Sequence, residues 1–333
     1  MRIGRRQFIS ALGGAAVAWP FAARGQQDGR VRRIGSLTGL DENDAEVQAW
    51  YIAFRKRLQE LGWVIGRNLQ IDYRWAAGNI DRVRTYAAEL VAMKPDALLA
   101  HTTPVVAALR RETRTIPIVF SYVGDPVGSG FVKSLAHPGG NATGFTPYTP
   151  RLGGKWLEIL KEIAPRIERI AVIWNPITAP YITGYFIPDL KAAAAALAVE
   201  PIINVVHETA EFEVAISEVA REPGGGLIVI PDTFTTIHRT LIIALADKHR
   251  LPAIYPYQFA CREGGLVSYA PDLGEPFLRM AEYIDRILKG TDPADLPVQA
   301  PTKYELAINL KTAKALGVTV PHNLLVVADA VIE

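Results

Sequence analysis

The stretch Ile118–Gly130, IVFSYVGDPVGSG, decides how this 333-residue chain folds. It begins with the β-branched and aromatic run from Ile118 to Phe120 and then breaks into a glycine-rich turn that carries Tyr122 and Asp125. This pattern predicts a buried strand that ends in a loop. Ligands of open parallel sheets lie beyond the carboxyl ends of the strands, so Tyr122 and Asp125 are candidate ligand contacts. The alternative is that Asp125 bonds its own backbone while Tyr122 packs in the core.

Strands and helices alternate through the residues before this stretch. Thr102 and Thr103 stand before Pro104, which predicts a helix with a hydroxyl cap and proline in its first turn. Because right-handed crossovers place helices on both faces of a sheet, the alternation predicts a parallel, doubly wound domain with four strands. The predicted strands are Arg33–Leu37, Asn68–Tyr73, Ala97–Ala100 and Ile118–Phe120, and the helices between them include Val47–Leu61 and Val83–Met93.

A second series of the same kind follows the turn Pro138–Asn141. We therefore expect two doubly wound α/β lobes joined by a hinge, with lobe 1 at residues 31–146 plus about 270–295 and lobe 2 at residues 147–269. Residues 296–333 form a crossing segment and tail, whose strand Glu305–Asn309 is not assigned to a lobe. The predicted elements of the second series are helix Leu152–Ile163, strand Arg169–Trp174, helix Tyr185–Leu197, strand Ile202–Val206, helix Glu211–Arg221, strand Gly226–Ile230, helix Thr236–Arg250, strand Ala253–Tyr255, a strand and crossing at Gly264–Tyr269, and helix Glu275–Lys289, which is expected to pack on lobe 1.

The first 25 residues have the pattern of a secretory signal. Arg5 and Arg6 form a pair before a short, mildly apolar run from Phe8 to Trp19. This pairing is similar to a twin-arginine signal, although Gly4 replaces the usual Ser or Thr. We expect a mature chain that starts near Gln26 and is free in the periplasm.

Composition excludes several classes of protein. Net charge is +2 with 21% charged residues, and no basic stripe with interleaved aromatics occurs, so no nucleic-acid partner is predicted. The single cysteine, Cys261, is expected to be a small buried residue, and neither a metal site nor any other cofactor is predicted. No later stretch contains about 18 consecutive apolar residues, so no transmembrane helix is expected.

Polar and aromatic side chains at the strand ends are the candidate ligand contacts. Hydroxyls and free amides at the start of a helix suit a carboxylate, tyrosines can enclose an apolar or aromatic body, and aspartates can receive an ammonium or hydroxyl group. Each has a structural alternative as a cap, a core edge or a turn residue. The candidates are Ser36, Thr38, His101, Thr102, Thr103, Tyr122, Asp125, Asn175, Tyr181, Asp232, Thr233, Tyr255, Tyr257 and Tyr269.

Catalysis has little support in the sequence. Ser129 lies in Gly128-Ser129-Gly130, which lacks the GxSxG elbow of hydrolases. His101 at a strand end is the best candidate for a general base, although a lone histidine can equally be structural. We predict no enzymatic activity and no nucleotide, because the run Gly224–Gly226 precedes a strand instead of following one.

Several ordered motifs between about Arg33 and Pro321 resemble the solute-binding proteins of ABC importers, in the tryptophan/tyrosine-binding group with the type I periplasmic-binding fold. The motifs are Ile116-Pro117-Ile118-Val119-Phe120 followed by Asp125-Pro126-Val127-Gly128, then Pro138-Gly139-Gly140-Asn141 with Thr143-Gly144, Pro231-Asp232, Gly264-Gly265-Leu266-Val267-Ser268-Tyr269, and Ile287-Leu288-Lys289-Gly290 with Pro297-Val298. The chain departs from the family at Ala270, where glycine is expected, and at His101, where a small residue is usual.

The resemblance implies two lobes joined by three crossings that close on a small-molecule solute. A monomer would then deliver the solute to an ABC permease and its ATPase in the inner membrane. Among the candidates, Thr102, Thr103, Asp125 and Asp232 match the pocket positions of the family most closely. Two alternatives remain at this stage: a periplasmic sensor that docks a membrane receptor, and an enzyme that uses His101 or Asp125 as a base.

Overall fold

The computed structural model describes residues 30–333. The predicted signal peptide at residues 1–25 and its cleavage site lie outside the described residues. The described chain forms two α/β lobes, each built on one sheet, and the predicted fold class is confirmed.

Lobe 1 contains a five-stranded parallel sheet with the order β2-β1-β3-β4-β5. Four of the strands were predicted from the sequence. The fifth, at the edge of the sheet, lies directly after the turn Pro138–Asn141. The strands are β1 (Arg32–Thr38), β2 (Leu69–Trp75), β3 (Ala97–His101), β4 (Ile118–Ser121) and β5 (Ala142–Gly144).

Helices cover both faces of this sheet. The side chain of Asp44 accepts hydrogen bonds from two backbone amides at the start of the first helix and so caps it. A helix from the second half of the chain returns to pack against that first helix and against β4. Trp63 fixes this arrangement, because its Nε1 donates to Oδ1 of Asp285 at 2.9 Å. The helices of lobe 1 are α1 (Ala45–Glu60), α2 (Ile80–Ala92), α3 (Thr103–Glu112) and the returning α11 (Gly274–Leu288).

Lobe 2 contains a seven-stranded sheet with the order β12-β11-β10-β9-β8-β6-β7. All neighbouring strands are parallel except β10 and β11. Strand Glu305–Asn309, which the sequence did not assign, therefore belongs to this sheet, and the last strand of the chain pairs with it. The strands are β6 (Arg169–Trp174), β7 (Glu200–Val205), β8 (Gly225–Val229), β9 (Ala253–Tyr255), β10 (Val267–Ala270), β11 (Glu305–Asn309) and β12 (Ala330–Ile332).

Two helices of lobe 2 that were predicted as continuous are interrupted. One breaks at Phe186 and the other at His238, and each of these residues separates two successive helices. Two short helices, Gln258–Arg262 and His322–Val327, were not predicted, since each is too brief to show a periodic pattern. The helices of lobe 2 are α4 (Leu152–Ile163), α5 (Ile182–Tyr185), α6 (Ile187–Ala196), α7 (Ala210–Val219), α8 (Thr233–Ile237), α9 (Arg239–Lys248), α10 (Gln258–Arg262), α12 (Leu310–Leu316) and α13 (His322–Val327).

The chain passes between the two lobes three times. The crossings follow β5, β10 and the Pro293–Asp295 turn, at about residues 145–149, 271–273 and 298–304. The first and third run side by side, since Thr146 N donates to the carbonyl of Gln299 at 2.9 Å. The strand predicted within Gly264–Tyr269 is present as β10, whereas the crossing that was expected there begins after this strand. No helix within residues 30–333 is both long and apolar enough to span a membrane.

Candidate functional site

Small polar side chains share one edge of the lobe 1 sheet. Thr38 of β1 pairs with His101 of β3, and His101 pairs with Ser121 of β4. Leu99 and Val119, two positions earlier on β3 and β4, belong to the core that also contains residues of α1 and α11, so the side chains of His101 and Ser121 point toward those helices. Ser36 lies two residues before Thr38 on β1, and its hydroxyl is 3.3 Å from the phenol oxygen of Tyr51. The sequence did not single out Ser121, which alternates with apolar residues and resembles the end of a core strand.

His101 is the most constrained residue of this edge. Its Nδ1 lies 3.1 Å from Oγ1 of Thr38, and that oxygen accepts a hydrogen bond from the backbone amide of Leu40 at 3.1 Å. Its Nε2 is buried and has no hydrogen-bond partner among the described residues. Burial lowers the pKa of His101 to about 3, because desolvation penalises the charged ring. His101 is therefore a neutral imidazole at physiological pH.

Three aromatic rings surround His101. The centroid distances are 4.9 Å to Tyr122, 5.0 Å to Phe277 and 5.8 Å to Trp50, and each contact is edge to face. These rings come from the end of β4, from α11 and from α1. We call Trp50, His101, Tyr122 and Phe277 the lobe 1 aromatic box. Edge-to-face packing fixes the imidazole orientation.

The aromatic box continues into lobe 2. The Tyr122 ring lies 5.2 Å from that of Tyr257, which directly precedes α10, and 6.3 Å from that of Tyr148 in the first crossing. The hydroxyls of Tyr148 and Tyr257 are hydrogen-bonded to each other. Burial raises the pKa of both phenols well above the usual value. Tyrosines from lobe 1, lobe 2 and the hinge thus form one neutral aromatic surface across the cleft.

Glycines of lobe 1 allow lobe 2 to approach closely. A Cβ atom added to Gly124 would lie 2.2 Å from the ring of Tyr181. A Cβ on Gly39 would lie 2.7 Å from Oγ1 of Thr102 and 3.2 Å from Thr233, and one on Gly78 would lie 2.3 Å from Ile237. Tyr181, Thr233 and Ile237 all belong to lobe 2. The two lobes therefore touch at positions where lobe 1 has no side chain.

Thr102 does not form the predicted hydroxyl cap. Its backbone has a φ of +94°, and its side chain makes no hydrogen bond to the amides of α3. Oγ1 of Thr102 is instead buried without a partner in the described structure, as are Oγ of Ser121 and the hydroxyl of Tyr122. The positive φ turns the side chain away from the helix and toward Gly39. Three hydroxyls with unused hydrogen-bonding capacity thus lie at the ends of β3 and β4, together with Nε2 of His101.

The two candidate aspartates already have local partners. Oδ1 of Asp125 accepts from the amide of Gly128 at 2.8 Å. Asp232 accepts from the amide of Asn175 at 2.9 Å, from Oγ1 of Thr178 at 3.0 Å and from the amide of Thr235 at 2.8 Å. Burial nevertheless raises the pKa of Asp232 to about 6. The turn roles that were the alternatives for both residues are present, and their ligand roles stay predictions.

The remaining candidates divide into two groups. The contact between the lobes contains Thr103, Thr233 and Tyr181. Burial and the nearby Asp232 carboxylate raise the pKa of Tyr181. The amide oxygen of Asn175 accepts from two backbone amides of its own turn. Tyr255 and Tyr269 lie apart from the aromatic box. Tyr255 packs against Gly265 inside lobe 2, and Tyr269 stacks on Tyr304 at 5.5 Å. Tyr269 and Tyr304 line an open groove of about 600 Å³ beside Arg151 and Lys155.

Sequence reasoning missed Trp50, Phe277 and Tyr148. Trp50 and Phe277 follow the apolar periodicity of α1 and α11, so the sequence indicated only that they face a core. Tyr148 stands between two prolines in the first crossing, and that position at the hinge was the available signal. The structure brings all three to the cleft because α1 and α11 meet beside the end of β3.

Ion pairs link the lobes at the start of α1. Nη1 of Arg239, at the start of α9, lies 2.6 Å from Oδ2 of Asp44. Arg262 of α10 bonds Glu46 in the first turn of α1. Arg239 also lies over the ring of Phe259 at 4.8 Å. Both cations come from lobe 2 and both carboxylates from lobe 1. No group of three or more His, Cys, Asp or Glu side chains that could hold a metal ion occurs in residues 30–333.

Comparison with known proteins identifies the family. Residues 42–332 match the family described as ABC transporter substrate binding protein. The chain belongs to this family. The resemblance inferred from the sequence motifs is thus confirmed, and the coarse function is that of an ABC transporter substrate-binding protein.

Individual relatives of this substrate-binding protein cover most of its length. A tyrosine-binding protein of Clostridioides difficile is 28% identical over 263 residues, covering 79% of this chain and 75% of that protein. A conserved domain protein of Vibrio cholerae has a TM-score of 0.83 at 28% identity, with 91% of this chain and 100% of that chain covered. A ligand-free, open substrate-binding protein with adhesive properties from Clostridium difficile has a TM-score of 0.66 at 25% identity, with 91% and 99% covered.

Proposed function

We propose that this protein is the solute-binding component of an ABC importer and that it captures an aromatic amino acid, or a related aromatic carboxylate, between its closing lobes. The observation that carries the proposal is the aromatic surface that runs from His101 and Tyr122 in lobe 1 to Tyr257 in lobe 2, next to unpartnered hydroxyls at the strand ends. The aromatic surface suits the ring of such a solute, and the unpartnered hydroxyls suit its carboxylate.

The start of α3 is the proposed carboxylate site. Thr102 contributes a buried, unpartnered hydroxyl, and the amides of the first helical turn carry partial positive charge. Thr103 and Thr233 flank this point from the two lobes. The tyrosine-binding relative of C. difficile supports an amino acid as the solute.

Closure of the lobes is the proposed mechanism of capture. In the present structure the lobes meet through Gly124 and Tyr181 and through the ion pair of Arg239 with Asp44. The lower TM-score against the open, ligand-free relative supports a closed arrangement here. A hinge of three crossings allows the lobes to separate as rigid bodies. The solute would then enter the open form and stabilise the closed one.

The predicted partners and compartment follow from this role. We propose that the protein acts as a monomer in the periplasm, exported by its N-terminal signal. It would deliver its solute to an ABC permease and ATPase in the inner membrane. It turns over no substrate and uses no cofactor.

Calorimetric titration of the protein from Gln26 onward with L-tyrosine, L-tryptophan and L-phenylalanine tests the proposal. We expect at least one to bind, with a decrease in the radius of gyration by small-angle scattering. At about 100 times the dissociation constant, the ligand should add roughly 2.7 kcal/mol to the free energy of unfolding.

Two variants locate the site. Thr102→Val should weaken binding at least 10-fold, since it removes the hydroxyl but keeps the side-chain shape. Tyr269→Phe should leave affinity unchanged, because Tyr269 lies on Tyr304 outside the aromatic box. Failure of all three amino acids to bind, or equal effects of the two variants, would contradict the proposal.

A further inference from the structure

We infer that His101 is a specificity-determining residue, whose Nε2–H donates a hydrogen bond to an acceptor oxygen on the ring of the bound aromatic solute. This inference rests on the proposed function and deepens it, because it selects one kind of aromatic solute. It predicts preference for a phenol such as L-tyrosine over L-phenylalanine, which has no acceptor, and over L-tryptophan, whose indole N–H is a donor.

The hydrogen-bond network of Thr38 sets the tautomer of His101. Oγ1 of Thr38 accepts from the amide of Leu40 and lies 3.1 Å from Nδ1 of His101, and in the proposed arrangement the Thr38 hydroxyl donates to Nδ1. Nδ1 is then the acceptor, and the ring hydrogen resides on Nε2. Nε2–H is consequently a donor with a fixed direction.

The surroundings of Nε2 indicate which part of a solute it meets. His101 is 1% exposed, and its neighbours Trp50, Tyr122 and Phe277 present ring faces and edges to it. The unpartnered hydroxyl of Thr102 is at the start of α3, next to Gly39 and the lobe contact. In the proposed pose the carboxylate lies at Thr102 and the aromatic ring of the solute points toward the box, with its ring oxygen at Nε2.

An unpartnered buried donor is costly, and this cost creates the selectivity. A buried N–H without an acceptor loses its hydration with no compensation. A ring oxygen removes that loss, whereas a bare ring or an indole N–H does not. Sites that hydrogen-bond a ligand hydroxyl discriminate strongly against ligands that lack it. We therefore expect L-tyrosine to bind about 10-fold more tightly than L-phenylalanine, because a factor of this size corresponds to the contribution of one hydrogen bond.

The experiment measures dissociation constants of L-tyrosine, L-phenylalanine and L-tryptophan for the wild type, His101→Phe and His101→Gln. His101→Phe retains a ring in the box but no donor, so affinity for tyrosine should fall about 10-fold while that for phenylalanine stays within about 2-fold. Gln can place an amide N–H near the position of Nε2, and His101→Gln should keep part of the preference for tyrosine.

Tautomer and control measurements complete the test. Nitrogen-15 shifts of His101, assigned by comparison with His101→Phe, should show a hydrogen on Nε2, and Thr38→Val should mix the tautomers and reduce the preference. Tyr73→Phe removes another unpartnered buried hydroxyl of lobe 1 and should change no dissociation constant. Equal loss of all three solutes in His101→Phe would overturn the role of His101 but not the proposed function. Failure of the wild type to bind any of them would overturn both.

Discussion

At the scale of single residues, the neutral state of His101 ties stability to pH. The pKa of His101 is about 3 in the folded chain and 6.5 in the absence of burial. Between these values the unfolded chain binds more protons, so the free energy of unfolding falls as pH decreases from 6.5 toward 3. Asp232 acts in the opposite direction: its raised pKa gives stability that is lost as pH rises from 3.8 through about 6.

His101→Phe isolates the first of these effects. The wild type should lose about 2 kcal/mol of unfolding free energy between pH 7 and pH 5 relative to the variant, one pKa unit being about 1.4 kcal/mol. Because Asp232 is present in both proteins, its contribution cancels in the difference. Urea denaturation at the two pH values measures this difference. Parallel pH profiles of the two proteins would contradict a buried, neutral His101.

For single residues, the sequence predicted where a candidate side chain lies in the fold better than which contacts it makes. Thr102 was expected to cap α3, but a positive φ, which no local pattern announces for threonine, turns its hydroxyl away. Tyr255 and Tyr257 are two residues apart, yet one lies in the core of lobe 2 and the other in the cleft, because the chain turns between strand β9 and helix α10. The placement of Asp232 was predicted, whereas two of its three hydrogen bonds come from Asn175 and Thr178, which are 57 and 54 positions away in the chain.

At the scale of elements, the start of α1 combines two tasks in Asp44. Its Oδ1 accepts from the amides of Glu46 and Val47, which caps the helix, and its Oδ2 pairs with Arg239 of lobe 2. The pair is partly buried, with side-chain exposures of 14% and 18%. It therefore resists screening better than a fully exposed pair.

Two substitutions of Asp44 separate these tasks. Asp44→Ser keeps a capping oxygen but removes the charge, so stability of the solute-free protein should hardly change while solute affinity falls about 5-fold, for loss of about 1 kcal/mol of closure energy. Asp44→Ala should also lose the cap, at about 1 kcal/mol of stability. Thermal unfolding and calorimetry give the two quantities. Identical behaviour of the variants in both assays would contradict the division of tasks.

Element type was predictable wherever a pattern was long. The apolar stripe of α11 predicted its packing on lobe 1, and the contacts of α11 with α1 and β4 are of this kind. Strand β12 and helices α10 and α13 span three to six residues, too few for a period to show. The break at Phe186 coincides with Pro188 in the first turn of α6, which is a local signal for a helix start. The break at His238 has no such proline.

At the scale of the whole molecule, the approach of the lobes depends on Gly124. Alanine there would place its Cβ 2.2 Å from the Tyr181 ring, so full closure would require that ring to move. Gly124→Ala should weaken solute binding at least 10-fold and enlarge the solute-bound radius of gyration, with little change in the stability of the open form.

Gly184→Ala is the matched control. Gly184 lies in lobe 2, and a Cβ added to it would meet no atom within 4 Å. Calorimetry and scattering should show no effect of this variant, and the double variant Gly124→Ala, Tyr181→Leu should recover part of the lost affinity. Unaltered solute binding by Gly124→Ala alone would show that closure does not require this contact.

The return of α11 to lobe 1 has a consequence for biosynthesis. Phe277 lies against Trp50, and Asp285 accepts from Trp63, so the first lobe is incomplete until about residue 288 of 333 has left the ribosome. The second lobe likewise waits for β11 and β12. Both lobes are therefore finished late in translation, and a chain that terminates before about residue 288 contains no complete lobe.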